Sequence, residues 1–377
     1  MLTKRRKSHM STDEGRLLLS IRAIADYMGL YVGYDPGTQQ AIVADASYPY
    51  VNSVDKKKPG FVPIDFRRFT QYPIADPMEQ RDVSRALIFS DSPEVFNDYG
   101  VLYRDTLKGK ARLYLLHVNG LSRQTATVNW IATNNSNRAV TITVTRQGAA
   151  PKSKDYAAQG RTALVNWFTS GDEDRKTFVI QPNSSQVLYR SDELKYYEAA
   201  HAIFDVESDG EVQYDVIAAD PSKADKKIES MAFLQRDVHD RGTYPISDIK
   251  LQVDAGDWER NTPVRIRIGE VGSLTEHWVT GKDAVTGEAS QNFGNYGVFY
   301  ELTVTHPGKA AYVLVPLRGH YRGAAVFDGE AVQTDTLYVE QGHLLGRTDG
   351  TESEVKLQLG ASSGSYMPFE VLVYPLE

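Results

Sequence analysis

Ala126-Thr127-Val128-Asn129-Trp130-Ile131-Ala132-Thr133, then Asn134-Asn135-Ser136-Asn137, then Ala139-Val140-Thr141-Ile142-Thr143-Val144-Thr145-Arg146: this stretch decides the fold class. Apolar and polar residues alternate on either side of the Asn/Ser run, and a period of two belongs to a strand with one buried face. Asn and Ser bond their own backbone and tolerate turn conformations, so 134–137 reads as a turn and the whole as a β-hairpin.

The same pattern recurs outward in both directions. Upstream lies Ala111 to Val118; downstream lie Thr177 to Ile180 and Gln186 to Tyr189, around a turn at Pro182-Asn183-Ser184-Ser185. Beyond residue 260, Val264 to Ile268, Val298 to Thr305, Ala311 to Pro316, Glu354 to Leu359 and Phe369 to Tyr374 alternate or run apolar in the same way. Helical spacing is legible in two places. Ile21 to Met28 carries apolar residues at i, i+3, i+4 and i+7, with Gly29 set as a C-terminal cap. Asp192 to Ala200 reads as a shorter helix. After the first of these, Leu30 to Tyr34 and Gln40 to Val43 flank Asp35-Pro36-Gly37-Thr38 and predict a hairpin.

Two segments read as linkers, Lys56-Lys57-Lys58-Pro59-Gly60 and Asp220 to Lys227, because they gather Pro, charge and small residues between strand-rich blocks. The expectation is a mainly β chain: residues 1–58 a basic tail and a short helix plus β-hairpin segment, 59–222 one β-sandwich-like domain, 223–377 a second in tandem. An internal echo supports related modules. Asn97-Asp98-Tyr99-Gly100-Val101-Leu102-Tyr103 is followed by a Gly-containing turn and the apolar run Arg112 to Val118. Asn295-Tyr296-Gly297-Val298-Phe299-Tyr300 is followed by His306-Pro307-Gly308-Lys309 and the run Ala311 to Pro316.

Composition bounds the function. Of 377 residues 41% are hydrophobic, so real cores can form, and 22 Tyr with 13 Phe against 6 Met lean toward pleated surfaces. A net charge of −7 with scattered cations argues against nucleic acid, which needs clustered Lys and Arg. The dense run Lys4-Arg5-Arg6-Lys7 reads as a tail. The polar residues Ser8 to Glu14 after it do not make the apolar core of a signal peptide. No stretch is long and apolar enough for a membrane span. With no Cys, disulfides, thiolate metal sites and Cys nucleophiles are excluded.

Leu18 to Asp35 resembles the copper amine oxidase N-terminal-like, or stalk, domain: Arg22, Ala23, Ile24, Ala25, Gly29, Val32 and Asp35 match its pattern, over residues 17–45 only. Ser20 stands where that family has Pro, Ile21 where it has Leu and Tyr34 where it has Trp. The resemblance implies an accessory module of secreted and wall-associated proteins of spore-forming Gram-positive bacteria, and no oxidase. A Tyr-derived quinone needs Thr-x-x-Asn-Tyr-acid. The nearest segment, Asn292 to Gly297, has Asn for the Thr and Gly for the acid, and the eight His include no His-x-His pair.

Other chemical motifs are weaker than their structural readings. Gly360-Ala361-Ser362-Ser363-Gly364 matches Gly-x-Ser-x-Gly, yet a strand rather than a helix follows and no His lies downstream. Asp205 to Gly210 opens like a calcium loop, but Val216 stands where the bidentate Glu belongs, and Gly171-Asp172-Glu173-Asp174 reads as a solvated turn. Arg318-Gly319-His320-Tyr321-Arg322 is the most unusual polar cluster; Arg and Tyr are favoured contact residues, so Arg318, His320, Tyr321 and Arg322 are the candidate partner or glycan contacts. The expectation is a non-enzymatic structural or adhesive protein at the cell surface or outside the cell, without catalytic residues, metal or cofactor. It would be a wall, spore-coat or filament component working through protein partners or self-association. A secreted module binding cell-wall glycan is the alternative, and an uncatalogued hydrolase a third.

Overall fold

The computed structural model describes residues 11–13, 16–18, 31–35, 40–44, 60–223, 230–259, 261–269 and 278–376, and these are mainly strand. The chain divides into two compact units at Pro63. In the first, Ser11–Asp13 pairs antiparallel with Arg16–Leu18, and Tyr31–Asp35 pairs antiparallel with Gln40–Ala44, the predicted hairpin with Asp35 in the strand rather than the turn. The expected helix Ile21 to Met28 and the basic tail lie outside the described residues, as do residues 56–59 of the first linker and 224–227 of the second.

The second unit, Ile64–Glu377, is built on one long ladder. Its strands are β1 Arg85–Ser90, β2 Gly100–Asn119, β3 Thr127–Asn134, β4 Val140–Ser153, β5 Lys176–Ile180, β6 Ser184–Arg190, β7 Ala199–Ala219 and β8 Arg241–Tyr244. β2 and β7, 20 and 21 residues long, run antiparallel from Gly100↔Ala218 to Val118↔Ala199. Their register slips between Lys108 and Gly109, where Gly109 takes φ +87°. A bulge of this kind bends a strand and sharpens its twist. One core cluster collects Leu113 and Phe204 from one side of the bulge with Tyr214 and Val216 from the other, so the ladder encloses its own core as a sandwich.

The predicted hairpin at 134–137 is absent, and its two strands do not pair with each other. β3 pairs with residues 213–219 of β7 and β4 with residues 199–208, both antiparallel, so they run end to end along one side of β7. Asn134 organises the junction rather than a reversal. Its Nδ2 donates to the carbonyls of Arg138, Ile180 and Gln181, and its Oδ1 accepts from the Ser136 amide. β5 and β6 repeat the arrangement one position out, on β4 and β3 respectively, so Pro182 to Ser185 is a junction too.

β1 lies parallel to the second half of β2, and β8 continues the sheet beyond it. The opposite face of this sheet meets the C-terminal strands: β9 Asp248–Asp254, β10 Val264–Ile268, β11 Phe299–Thr305, β12 Lys309–Pro316, β13 His320–Tyr321, β14 Ala324–Phe327, β15 Leu337–Tyr338, β16 Gln341–Asp349, β17 Glu354–Gly360 and β18 Phe369–Pro375. They make one sheet in the order β14-β17-β11-β9 and another in the order β16-β12-β18-β10. A single core cluster gathers Leu87, Phe89 and Tyr114 from the first sheet with Ile249, Leu302, Tyr312 and Phe369 from these. Position 222, where the sequence suggests a boundary between tandem domains, falls within one packed unit. The internal echo also has no structural counterpart. Residues 100–119 form one unbroken strand, while β11 and β12 belong to different sheets.

The helix expected at Asp192 to Ala200 does not form. Leu194 is buried and exchanges backbone hydrogen bonds with Ala126, Tyr197 takes φ +60°, and β7 begins at Ala199. A left-handed residue interrupts a helix. A helix that the pattern reading missed, α1 Tyr156–Thr169, sits instead between the sheets. Asp155 caps it by accepting from the Ala158 amide, and it buries Gly160, Ala163, Leu164, Trp167 and Phe168 on one face. Gly148 of β4 permits close approach: a Cβ there would lie 2.3 Å from the Ala163 carbonyl oxygen.

Candidate functional site

Three buried Arg–carboxylate clusters organise the polar interior, and each is closed on itself. Arg112 is fully buried on β2; its Nε and Nη2 donate to the two oxygens of Asp205 at 2.8 and 3.1 Å. Its Nη1 reaches Asp248 at 2.9 Å and the carbonyls of Ser247 and Gly297. Trp167 of α1 and Phe299 of β11 cover the guanidinium at 4.5 and 4.3 Å. Arg85 adds a second cation to Asp205 and Asp248. Burial pushes the Asp248 carboxyl upward, but Arg112 and Arg85 outweigh it and hold it below the usual carboxylate range. Arg241 donates through Nε to Asp283 at 3.0 Å, and Arg265 binds Glu370 through two nitrogens while stacking on Phe69. The acidic start of the calcium-loop motif, Asp205, is therefore committed to arginine. Among the described residues no group of three His, Asp or Glu could hold a metal ion.

Two further constellations carry the residue types of nucleophilic catalysis. Ser363 Oγ shares a hydrogen bond of 2.6 Å with Tyr114 and lies 3.4 Å from His201 Nε2, all three buried. Ser362, the nucleophile position of the Gly-x-Ser-x-Gly match, bonds the Arg322 carbonyl instead of a base. Elsewhere, Ser92 Oγ donates to Asp237, and His239 bonds the other oxygen of the same carboxylate. The acid stands between hydroxyl and imidazole, so the imidazole cannot take the hydroxyl proton, which activation requires.

The four candidate contact residues are brought to one short ribbon but not to one surface. Tyr321 is fully buried; its hydroxyl donates to the carbonyls of Ala324 and Gly360, and its ring meets Phe369 edge-on. It is a core residue and touches no partner directly, because its neighbour across the ladder, Leu337, points inward with it. Arg322 is half-buried and spends its charge on Asp155, the cap of α1. Arg318 and His320 remain on the outside.

The feature that pattern reading did not single out is the outer edge made by β5 and β6. β5 pairs only with β4 and β6 only with β3, so the far side of each is unpaired among the described residues. Val179 is 61% exposed and Val187 37% exposed along this edge. Behind it an open groove of about 530 Å³ is lined by α1 and the strands, including Asn166, Ser170, Lys176, Tyr189 and Arg190. Unpaired amides and carbonyls beside exposed β-branched side chains are the chemistry of strand addition. The alternating spacing of Ser185, Val187 and Tyr189 carried that signal, but not which side of the strand stays open.

No family model and no curated protein matches this chain. Among solved structures, the crystal structure of PBSX exported protein XepA is similar at 11% identity over 87% of this chain and 98% of that one, with a TM-score of 0.17. An oxalate decarboxylase formate complex from Lactobacillus farciminis is similar at 10% identity over 87% of this chain and 89% of that one, also with a TM-score of 0.17. Likenesses this remote carry no argument about function.

Proposed function

We propose that this chain is a non-enzymatic structural or adhesive protein of the cell surface or extracellular space, working through protein–protein contacts. The observation that carries the reading is the open β5–β6 edge. Natural proteins guard such edges with charge, proline or cover; here charge stands only at the ends, in Lys176 and Arg190, and between them the edge exposes Val179 and Val187. The edge accepts a strand from a second copy, with the valines supplying cross-strand contacts. The buried arginine clusters suit that role, since they stiffen the body that presents the edge. In an antiparallel pairing of β6 with its own copy centred on Val187, Ser184 faces Arg190, and no like charges oppose each other.

Size-exclusion chromatography with light scattering, run across protein concentrations and followed by negative-stain microscopy, tests it. Self-association rising with concentration is expected, and Val187→Lys should abolish it while leaving the unfolding free energy within about 0.5 kcal/mol. Compact monomers at every concentration would overturn the reading.

A further inference from the structure

β13 and β15 form a two-residue ladder in which His320 faces Tyr338 and Tyr321 faces Leu337. Neighbouring residues on a strand point to opposite sides. Tyr321 and Leu337 lie in the core, which sends His320 and Tyr338 to the outer side, ring centroids 6.2 Å apart. Tyr366 joins them from the loop after β17. Its amide donates to the His320 carbonyl, and its ring stands edge-on to the imidazole at 5.3 Å. Gly319, at φ +52°, makes room for that ring: a Cβ there would lie 2.6 Å from it. Tyr366 and Tyr338 stay 52% and 39% exposed although their backbones are held. Arg318, two residues before His320 in the chain, is exposed and in no ion pair among the described residues.

We propose that Tyr338, Tyr366 and His320, with Arg318, form a binding face for an acidic polysaccharide. The electron-rich ring faces receive the C–H side of a pyranose, and the guanidinium takes a uronate carboxylate. Rings held by their backbones lose little freedom on binding, which favours a ligand that gains little from each contact, such as a sugar chain. The chain's net charge of −7 does not oppose this, since charges more than about 8 Å away are screened at physiological salt. This site is independent of the strand edge.

Affinity electrophoresis of the full chain tests it, in gels carrying polygalacturonate, alginate or hyaluronate, with fully methyl-esterified polygalacturonate as the uncharged counterpart. Retardation by at least one uronate polymer is expected. Binding should weaken at least ~5-fold in the Tyr338→Ala/Tyr366→Ala variant, a loss on the order of 1 kcal/mol, while Tyr338→Phe, which keeps the ring, should bind like the wild type. Arg318→Ala should lower binding of the acid to that of the ester. Thermal melting of each variant shows whether it is folded. Absence of retardation by all three polymers, unchanged binding in the folded double variant, or equal wild-type retardation by acid and ester would each overturn the proposal.

Discussion

Arg112 shows at single-residue resolution what the sequence left open. In Ala111 to Val118 it reads as one polar position of an alternating strand, yet it is fully buried between Asp205, Asp248, Trp167 and Phe299. Nothing local announces those partners, the nearest of which is more than 50 positions away in the chain. Arg112→Met keeps the bulk and removes the charge, leaving two carboxylates with only Arg85. It should lower stability by about 3–5 kcal/mol in urea unfolding. A loss below about 1 kcal/mol would mean the cluster is solvated. His117 and His201 make a second test. Burial depresses both, His117 to about 4 and His201 to about 3, against 6.5 unfolded. The unfolded chain then binds more protons than the folded one below pH 6.5. Their contribution is therefore complete above that pH and is lost as pH falls toward 4, by about 1.4 kcal/mol per pH unit for each histidine. Unfolding midpoints measured from pH 7 to pH 4 should fall steadily; a flat profile would contradict the burial of both rings.

Strands were more legible than their neighbours. Val264 to Ile268 is β10 to the residue, and Glu354 to Leu359 and Phe369 to Tyr374 fall short of β17 and β18 by one residue each. Alternation is written locally, because each side chain answers to one face. Helix α1 was hidden by Gly160, Thr162, Val165, Asn166 and Thr169, poor helix formers that the fold tolerates because packing on β4 and β7 outweighs propensity. Asp155 followed by apolar residues at 163, 164, 167 and 168 was the readable trace. Docking of α1 rests on Gly148, where any side chain meets the helix backbone. Gly148→Ala should cost about 1–3 kcal/mol through overpacking, read as a lower unfolding midpoint with far-ultraviolet dichroism retained. Equal stability would show that the helix can shift without loss.

At the scale of the whole molecule, the core cluster that unites Leu87, Phe89 and Tyr114 with Ile249, Leu302 and Phe369 makes Ile64–Glu377 one unit. Fragments 64–222 and 223–377, expressed separately, should show no cooperative thermal transition, whereas the intact unit should melt in a single one. Two independently melting fragments would restore the tandem-domain division. The sequence by itself determined that the chain is mainly β, where most strands lie, and that no cysteine or thiolate chemistry operates, because those properties follow from residue type and from a period of two. Only the tertiary structure decided which strands are partners, that 134–137 joins two strands end to end instead of reversing, that Tyr321 lies in the core while Tyr338 and Tyr366 lie outside, and which edge stays open. Alternation tells a residue that it faces a core without saying which one. In β2, Leu113 and Leu115 face one core and Tyr114 the other, and both were assembled from segments far apart in the chain.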